Sequence, residues 1–207
     1  MPRNCLALFA TFAALFATSA MAADTEAPAE AFVRSKISAG LAILNDNSLT
    51  KDQKSAQFHD FLLSLTNLNA IADYTLGPAK NAAAPADLAE FENAFREYSI
   101  ALYEIELSRY ADRTLRVTGA MPLNSTTTIV KTVLAKDTRT PHAPTELDFR
   151  IFGTPGNFTV GDVSVMGIDL AITAQDQVQT FLWQHHNDIK ALSANFKQRT
   201  EKMRAGS

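Results

Sequence analysis

Apolar residues recur at helical spacing through the first half of the chain, alternate through the third quarter, and return to helical spacing at the end. From Ala29 to Leu44 the positions Phe32, Val33, Ile37, Leu41 and Leu44 define one helical stripe. Thr50-Lys51-Asp52-Gln53 has the layout of a capping box, and it opens a second helix through Phe58, Phe61, Leu62 and Leu65. A short third helix carries Leu68, Ile71, Ala72 and Leu76 and is stopped by Gly77-Pro78. Pro85 suits the first turn of a long helix over about residues 86–111, with Asp87 and Glu90 at its positive end.

That long helix is apolar over more than one stripe. Leu88, Phe91, Phe95, Tyr98, Leu102 and Ile105 form the main one, and Ile100, Tyr103, Leu107 and Tyr110 flank it. Such a helix needs more than one partner surface: either it is a central core helix between two layers, or one face lines a cavity.

After Tyr110 the period changes. Leu115 and Val117 alternate with Arg116 and Thr118 before Gly119, and Ser125 to Lys136 has the Thr- and Val-rich composition of a long strand. Thr145 to Phe152 puts Leu147, Phe149 and Ile151 on one face and Asp148 and Arg150 on the other. Gly153 to Gly156 reads as a hairpin connection into a fourth strand, in which Gly167 marks a bulge, a bend or a close approach. Thr173 to Asp176 begins a further helix, with Phe181, Leu182 and Trp183 near its end. Ile189, Leu192, Phe196 and Met203 mark a last helix whose polar end would fray. About four consecutive strands at hairpin spacing between helices predict an α+β domain with an antiparallel sheet. If that sheet curves, helices and sheet enclose a space instead of meeting flush.

The beginning of the chain reads as a processing segment. Arg3 precedes an apolar run from Leu6 to Phe16, and Ala20-Met21-Ala22 is a small-x-small cleavage site. The run is shorter than the roughly 20 residues a membrane span needs. Residues 1–22 are thus expected to be a cleaved signal peptide and 23–207 a single exported domain. Cys5, the one cysteine, leaves with the signal and has no apolar region before it to make it a lipid anchor. The exported domain must then be held by its core, without disulfides. Cleavage also removes Arg3, moving the net charge from −3 to about −4. Scattered basic residues and an acidic balance exclude nucleic acid as a partner.

No catalytic constellation stands out. Of the four histidines, His185 and His186 are adjacent, point about 100° apart on a helix, and cannot together grip a metal. His59 is followed by Asp60, but neither has a second ligand at metal spacing. There is no G-x-S-x-G elbow, P-loop or dinucleotide fingerprint. Glu104 and Glu106 do not face each other on a helix. Asp162, flanked by apolar residues, is the candidate for a buried acid with a raised pKa; a turn cap, or a pair with Arg116 or Arg150, is the more ordinary role. Thirteen phenylalanines supply abundant apolar surface, which fits either a plain core or an apolar ligand. Each methylene buried from water contributes about 0.8 kcal/mol, so a dry pocket holds a long acyl chain without specific polar contacts.

The block from Gly156 to Leu170, G-N-F-T-V-G-D-V-S-V-M-G-I-D-L, resembles the signature of the bacterial toluene-tolerance family, the periplasmic lipid-shuttling component of the Mla system. The segment I-A-D-Y-T-L-G at Ile71 to Gly77 and the aromatic helix from Phe91 to Tyr110 resemble further family segments. Thr126 to Leu134 and Leu147 to Ile151 are similar in pattern to its middle strands. Departures fall at Pro78-Ala79-Lys80 (Trp-Arg in the family pattern), Ala174-Gln175 (Tyr-Arg), Met166 (Glu) and Asp169 (Ser).

The resemblance implies a curved antiparallel sheet and helices around an apolar pocket. It implies a monomeric, non-enzymatic carrier of phospholipid, without metal or cofactor, that meets an inner-membrane ABC transporter complex and an outer-membrane lipoprotein complex. The pocket wall is expected from Ile71, Leu76, Phe91, Phe95, Tyr98 and Leu102 on helices and from Val130, Phe149, Ile151, Val163, Val165 and Ile168 on the sheet. Phe181 and Leu192 would close the far side. The alternatives are a carrier of another lipid such as a hopanoid, a small exported enzyme using the same pocket with Asp162 as acid/base, and a purely structural envelope protein with a solid core.

Overall fold

The computed structural model describes residues 27–108, 114–134 and 145–206, so the expected signal segment, Tyr110 and His142 lie outside the described residues. Pro28 sits in the first turn of α1 (Pro28–Asn45), where a missing amide hydrogen leaves nothing unsatisfied. The expected capping box opens α2 (Lys51–Leu65): the Gln53 amide donates to the Thr50 hydroxyl at 3.3 Å, and the Thr50 amide donates to Gln53 Oε1 at 2.9 Å. Asn67 caps α3 (Leu68–Leu76) by accepting from the Ala70 amide at 3.0 Å. Gly77 ends α3 at φ +52°, in backbone that any side chain would strain, and a short 3-10 helix over Gly77–Ala82 leads to Pro85. The long helix α4 spans Pro85–Ser108.

Five antiparallel strands follow as an open, curved meander in chain order: β1 (Leu115–Asn124), β2 (Thr127–Leu134), β3 (Thr145–Thr154), β4 (Asn157–Val165) and β5 (Ile168–Asp169). Two strand expectations need correction. β1 does not stop before Gly119 but continues to Asn124; Val117 pairs with Thr132 and Gly119 with Lys131, so an irregularity absorbs Thr118 and breaks the alternation that the sequence displays. Gly167 does not bend a continuing strand. Met166 and Gly167, at φ +52° and +80°, form a two-residue reversal, and β5 folds back so that Ile168 pairs with Val165. Two successive positive φ angles suit a tight hairpin because they match the strand twist. The chain then enters α5 (Leu170–Gln184), earlier than the expected start at Thr173, and α6 (Ile189–Gly206), which stays helical to its polar end.

Pairing places Val117, Ala120, Val130, Phe149, Ile151, Val160 and Val163 on one face of the sheet, and α1 covers that face with Ala29, Phe32 and Val33. Arg116, Lys131, Glu146 and Phe152 alternate onto the other, exposed face. A second core lies wholly among helices: Phe91, Phe95 and Tyr98 on α4 surround Phe196 on α6, with ring centroids 4.8 to 6.0 Å from it. Lys190–Asp87, Lys197–Glu90 and Arg204–Glu97 pair in the same order along both helices, so α4 and α6 run in the same direction. A third cluster joins Phe58 and Leu62 of α2 to Leu68 and Ile100. Ile71 belongs to the second and third clusters and Leu65 to the first and third, so the cores connect through α2 and α3. α5 packs against β4 and β5, while α4 lies on no strand extensively. Among the described residues no helix is long and apolar enough to cross a membrane.

Candidate functional site

The expected wall residues divide between layers. Ile71, Leu76, Phe91, Phe95, Tyr98, Phe181 and Leu192 pack together in the helical core, where Leu76 and Phe91 are fully buried. Val130, Phe149, Ile151 and Val163 belong to the core between α1 and the sheet. Leu102 and Val165 are partly buried and join neither. Ile168 is 62% exposed because the Met166–Gly167 reversal carries it to the sheet's edge. Helical and strand periodicity identified apolar faces, but two of those faces are filled by each other's neighbours: α6 packs on α4, and α1 packs on the sheet.

Leu102, Tyr103 and Ile105 in the second half of α4, and Leu147, Phe149, Val163 and Val165 on the sheet, are partly rather than fully buried. Tyr103 packs against the α2–α3–α4 cluster. Burial pushes its phenol up to about 12, and the Asp162 carboxylate adds to that effect. Among the described residues its hydroxyl has no hydrogen-bond partner. The sequence marked Tyr103 only as part of a flanking stripe; an isolated polar tip within that stripe was the available signal.

Asp162 stands where β4 meets α5. Its Oδ1 accepts from the Val163 amide at 2.7 Å and from the Ala171 amide at 3.0 Å. Ala171 lies in the first turn of α5, so the carboxylate acts as that helix's cap from a neighbouring strand. Burial raises the Asp162 pKa above the ordinary carboxylate value, and the two amides oppose the rise. Arg150 pairs instead with Asp169, at 3.4 Å.

The positions that depart from the family pattern have local partners. Lys80 pairs with Asp73, and Asp169 with Arg150. Gln175 donates to the Tyr74 carbonyl at 2.9 Å, and Gln179 donates to the Thr75 and Leu76 carbonyls at 2.8 Å, closing the end of α3. The Met166 amide donates to the Glu146 carbonyl at 2.9 Å. The role of these glutamines, as helix-end donors across 101 to 104 residues of chain, had no signature in the sequence.

An open cleft of about 560 Å³ lies elsewhere, lined by His59, Ser64, Asn67, Asn69, Arg96, Glu97 and Thr159 among others, and it contains none of the expected wall residues. His185 and His186 are exposed, and among the described residues no three His, Cys, Asp or Glu side chains come together to hold a metal.

A family model described as MlaC protein matches residues 34–198. No curated protein matches the sequence. Among solved structures, the chain is similar to a phospholipid-binding protein from Ralstonia solanacearum in complex with a phospholipid, with a TM-score of 0.70 and 16% identity, covering 86% of this chain and 99% of that one. At that identity the likeness is one of fold, and it extends over the helices and the open sheet alike. With the family model running from α1 into α6, across every strand between them, the chain belongs to the MlaC family.

Proposed function

We propose that this protein is a periplasmic lipid carrier that binds a phospholipid or comparable lipid. It shuttles that lipid between an outer-membrane lipoprotein complex and an inner-membrane ABC transporter complex, as a monomer and without chemical turnover. Family membership across residues 34–198 is the observation that carries the reading. The similar fold of a protein described as bound to phospholipid supports it, as do partly buried apolar side chains of α4 and the sheet, Leu102 and Val165, that join none of the buried clusters. Acyl methylenes bind such a surface at about 0.8 kcal/mol each without elaborate recognition of the headgroup. Residues 1–22 serve as the leader and 23–207 as the mature carrier domain.

Native mass spectrometry and lipid extraction of the protein purified from the periplasm test the proposal. The expected result is co-purifying lipid together with uptake from labelled vesicles; finding neither would overturn it. Asp162 is the one feature that favours an enzyme, through its raised pKa, but its Oδ1 already accepts two backbone amides. Loss of a turnover activity in Asp162→Asn with lipid uptake intact would support that second reading.

A further inference from the structure

Arg96 on α4 borders the open cleft of about 560 Å³, to which α2, α3 and β4 also contribute side chains. The cleft therefore lies where helices and sheet meet. Its lining is mostly polar and uncharged, with Ser64, Asn67, Asn69 and Thr159 around Arg96 and only Leu63 and Leu68 apolar. The Arg96 guanidinium is held across α3 and α4 by two neutral acceptors: it donates to Asn69 Oδ1 at 3.3 Å and to Asn93 Oδ1. Among the described residues no carboxylate stands within ion-pair distance of it. Glu92, one turn earlier on α4, feels its charge without pairing with it.

The neighbouring cations differ. Lys190, Lys197 and Arg204 on α6 each pair with a carboxylate of α4. Glu97, the one carboxylate among the lining residues, is thereby held by Arg204 at 2.8 Å, and His59 Nε2 stands 3.7 Å from it. The cleft's acid is thus already compensated, while its guanidinium is oriented but not neutralised. Amide oxygens fix the direction of a guanidinium without cancelling its charge, and its planar fork matches the oxygens of a phosphate.

We propose that this cleft is a phosphate site, in which Arg96 binds the oxygens of a lipid phosphodiester or of inorganic phosphate. For the lipid the assignment rests on the carrier reading above, and it makes phosphate-bearing lipids the preferred cargo over neutral ones.

The test offers the lipid-stripped protein dodecyl maltoside micelles containing equal amounts of dioleoyl phosphatidylglycerol and dioleoylglycerol, and quantifies the bound lipid. The wild type is expected to enrich the phospholipid about ten-fold, the worth of one hydrogen bond to a charged group. Arg96→Gln should take up the two nearly alike. Lys197→Gln removes the same charge from a pair outside the cleft and should keep the preference. The Arg96 Nε–H resonance of the wild type, which needs no variant to fold, separates the two sources. A shift on loading phosphatidylglycerol but not dioleoylglycerol assigns the headgroup. A saturable shift with inorganic phosphate alone assigns the free ion, and either result supports the site. No shift with any of these, or an equal shift with acetate at the same ionic strength, overturns it. A ten-fold preference that survives Arg96→Gln overturns the lipid assignment. Uptake of neither lipid overturns the carrier reading, and the phosphate titration then decides the cleft on its own.

Discussion

Asp162 on β4 accepts a hydrogen bond from the Ala171 amide at 3.0 Å and thereby fixes the first turn of α5 to the sheet. The α5 side chains Gln175 and Gln179 in turn hold the carbonyl end of α3. One carboxylate thus anchors the helix that ties the helical core to the strands.

Removing that carboxylate should loosen the junction. Asp162→Ala leaves the Ala171 and Val163 amides without their acceptor and is expected to cost about 1–2 kcal/mol in urea denaturation, the usual range for a lost helix cap. Asp162→Asn keeps an acceptor oxygen and should cost less. The two variants also differ from the wild type in pH dependence. The raised pKa means that the folded state binds a proton at Asp162 more tightly than the unfolded chain does. The stability from that preference is complete below the unfolded value and is lost as pH rises through the raised folded value. The advantage of wild type over Asp162→Asn should therefore shrink as pH climbs out of the acidic range and level off above it. Urea midpoints of both proteins measured from pH 3 to 7 check the sign; an advantage that grows across that range contradicts it.

Glycines around the β3–β4 hairpin give a graded series. At Gly153, φ is +107° and a Cβ would stand 2.0 Å from the Asn157 carbonyl oxygen, which the hairpin holds in place. Gly153→Ala is expected to cost about 3 kcal/mol or more. At Gly156, φ is +89° but nothing lies within 4 Å, so only backbone strain of about 1 kcal/mol is expected. At Gly161 the backbone is unstrained, but the Phe152 ring lies over it, 2.0 Å from a would-be Cβ. Phe152 is 42% exposed and can swing away, so Gly161→Ala should fall well below Gly153→Ala. Chemical denaturation of the three variants measures the order directly.

Much of the fold was legible because its signals are local. The Thr50–Gln53 capping box, the Gly77 stop and the Pro85 start each depend on a few neighbouring residues, and each is present. The alternating strands were legible until an irregularity intervened: at Gly119 the alternation shifts by a residue, and β1 beyond it no longer reads as one strand. The Met166–Gly167 reversal was hidden because methionine is not a turn residue, although here it adopts a positive φ. For the candidate site the limit was different. Periodicity shows that Phe91, Phe95 and Phe149 belong to apolar faces, but not which element covers each face. Phe196 closes the first two and α1 approaches the third, so residues grouped as a single wall are divided between two cores. Asp162 posed the same problem, since its Ala171 partner is nine residues away and brought near by a reversal that the sequence did not announce.

The division into cores predicts contrasting responses from two of the expected wall residues. Leu76 is fully buried among α3, α4, α5 and α6, so Leu76→Ala should cost about 2–5 kcal/mol through lost burial and the cavity left behind. Ile168 is 62% exposed, so Ile168→Ser should stay within about 0.5 kcal/mol of wild type. Thermal and urea unfolding of both variants should separate them clearly; comparable losses would place Ile168 inside the core instead of at the sheet's edge.

The most direct probe of the proposed lipid site is to fill it. Leu102 is partly buried, lies in the half of α4 beyond the Phe91–Phe95 packing, and belongs to none of the three buried clusters. In a solid core, a larger side chain at such a position forces neighbours off their rotamers at about 1–3 kcal/mol. In the proposed lipid site, the added ring enters open space and costs less than about 1 kcal/mol, because the contacts it gains offset its lost freedom. It also removes volume that an acyl chain would need. Leu102→Trp is therefore expected to melt close to wild type while lipid uptake from labelled vesicles falls at least about ten-fold. A strongly destabilised variant would identify this region as ordinary core, and a stable variant with undiminished uptake would place the acyl chains elsewhere in the molecule.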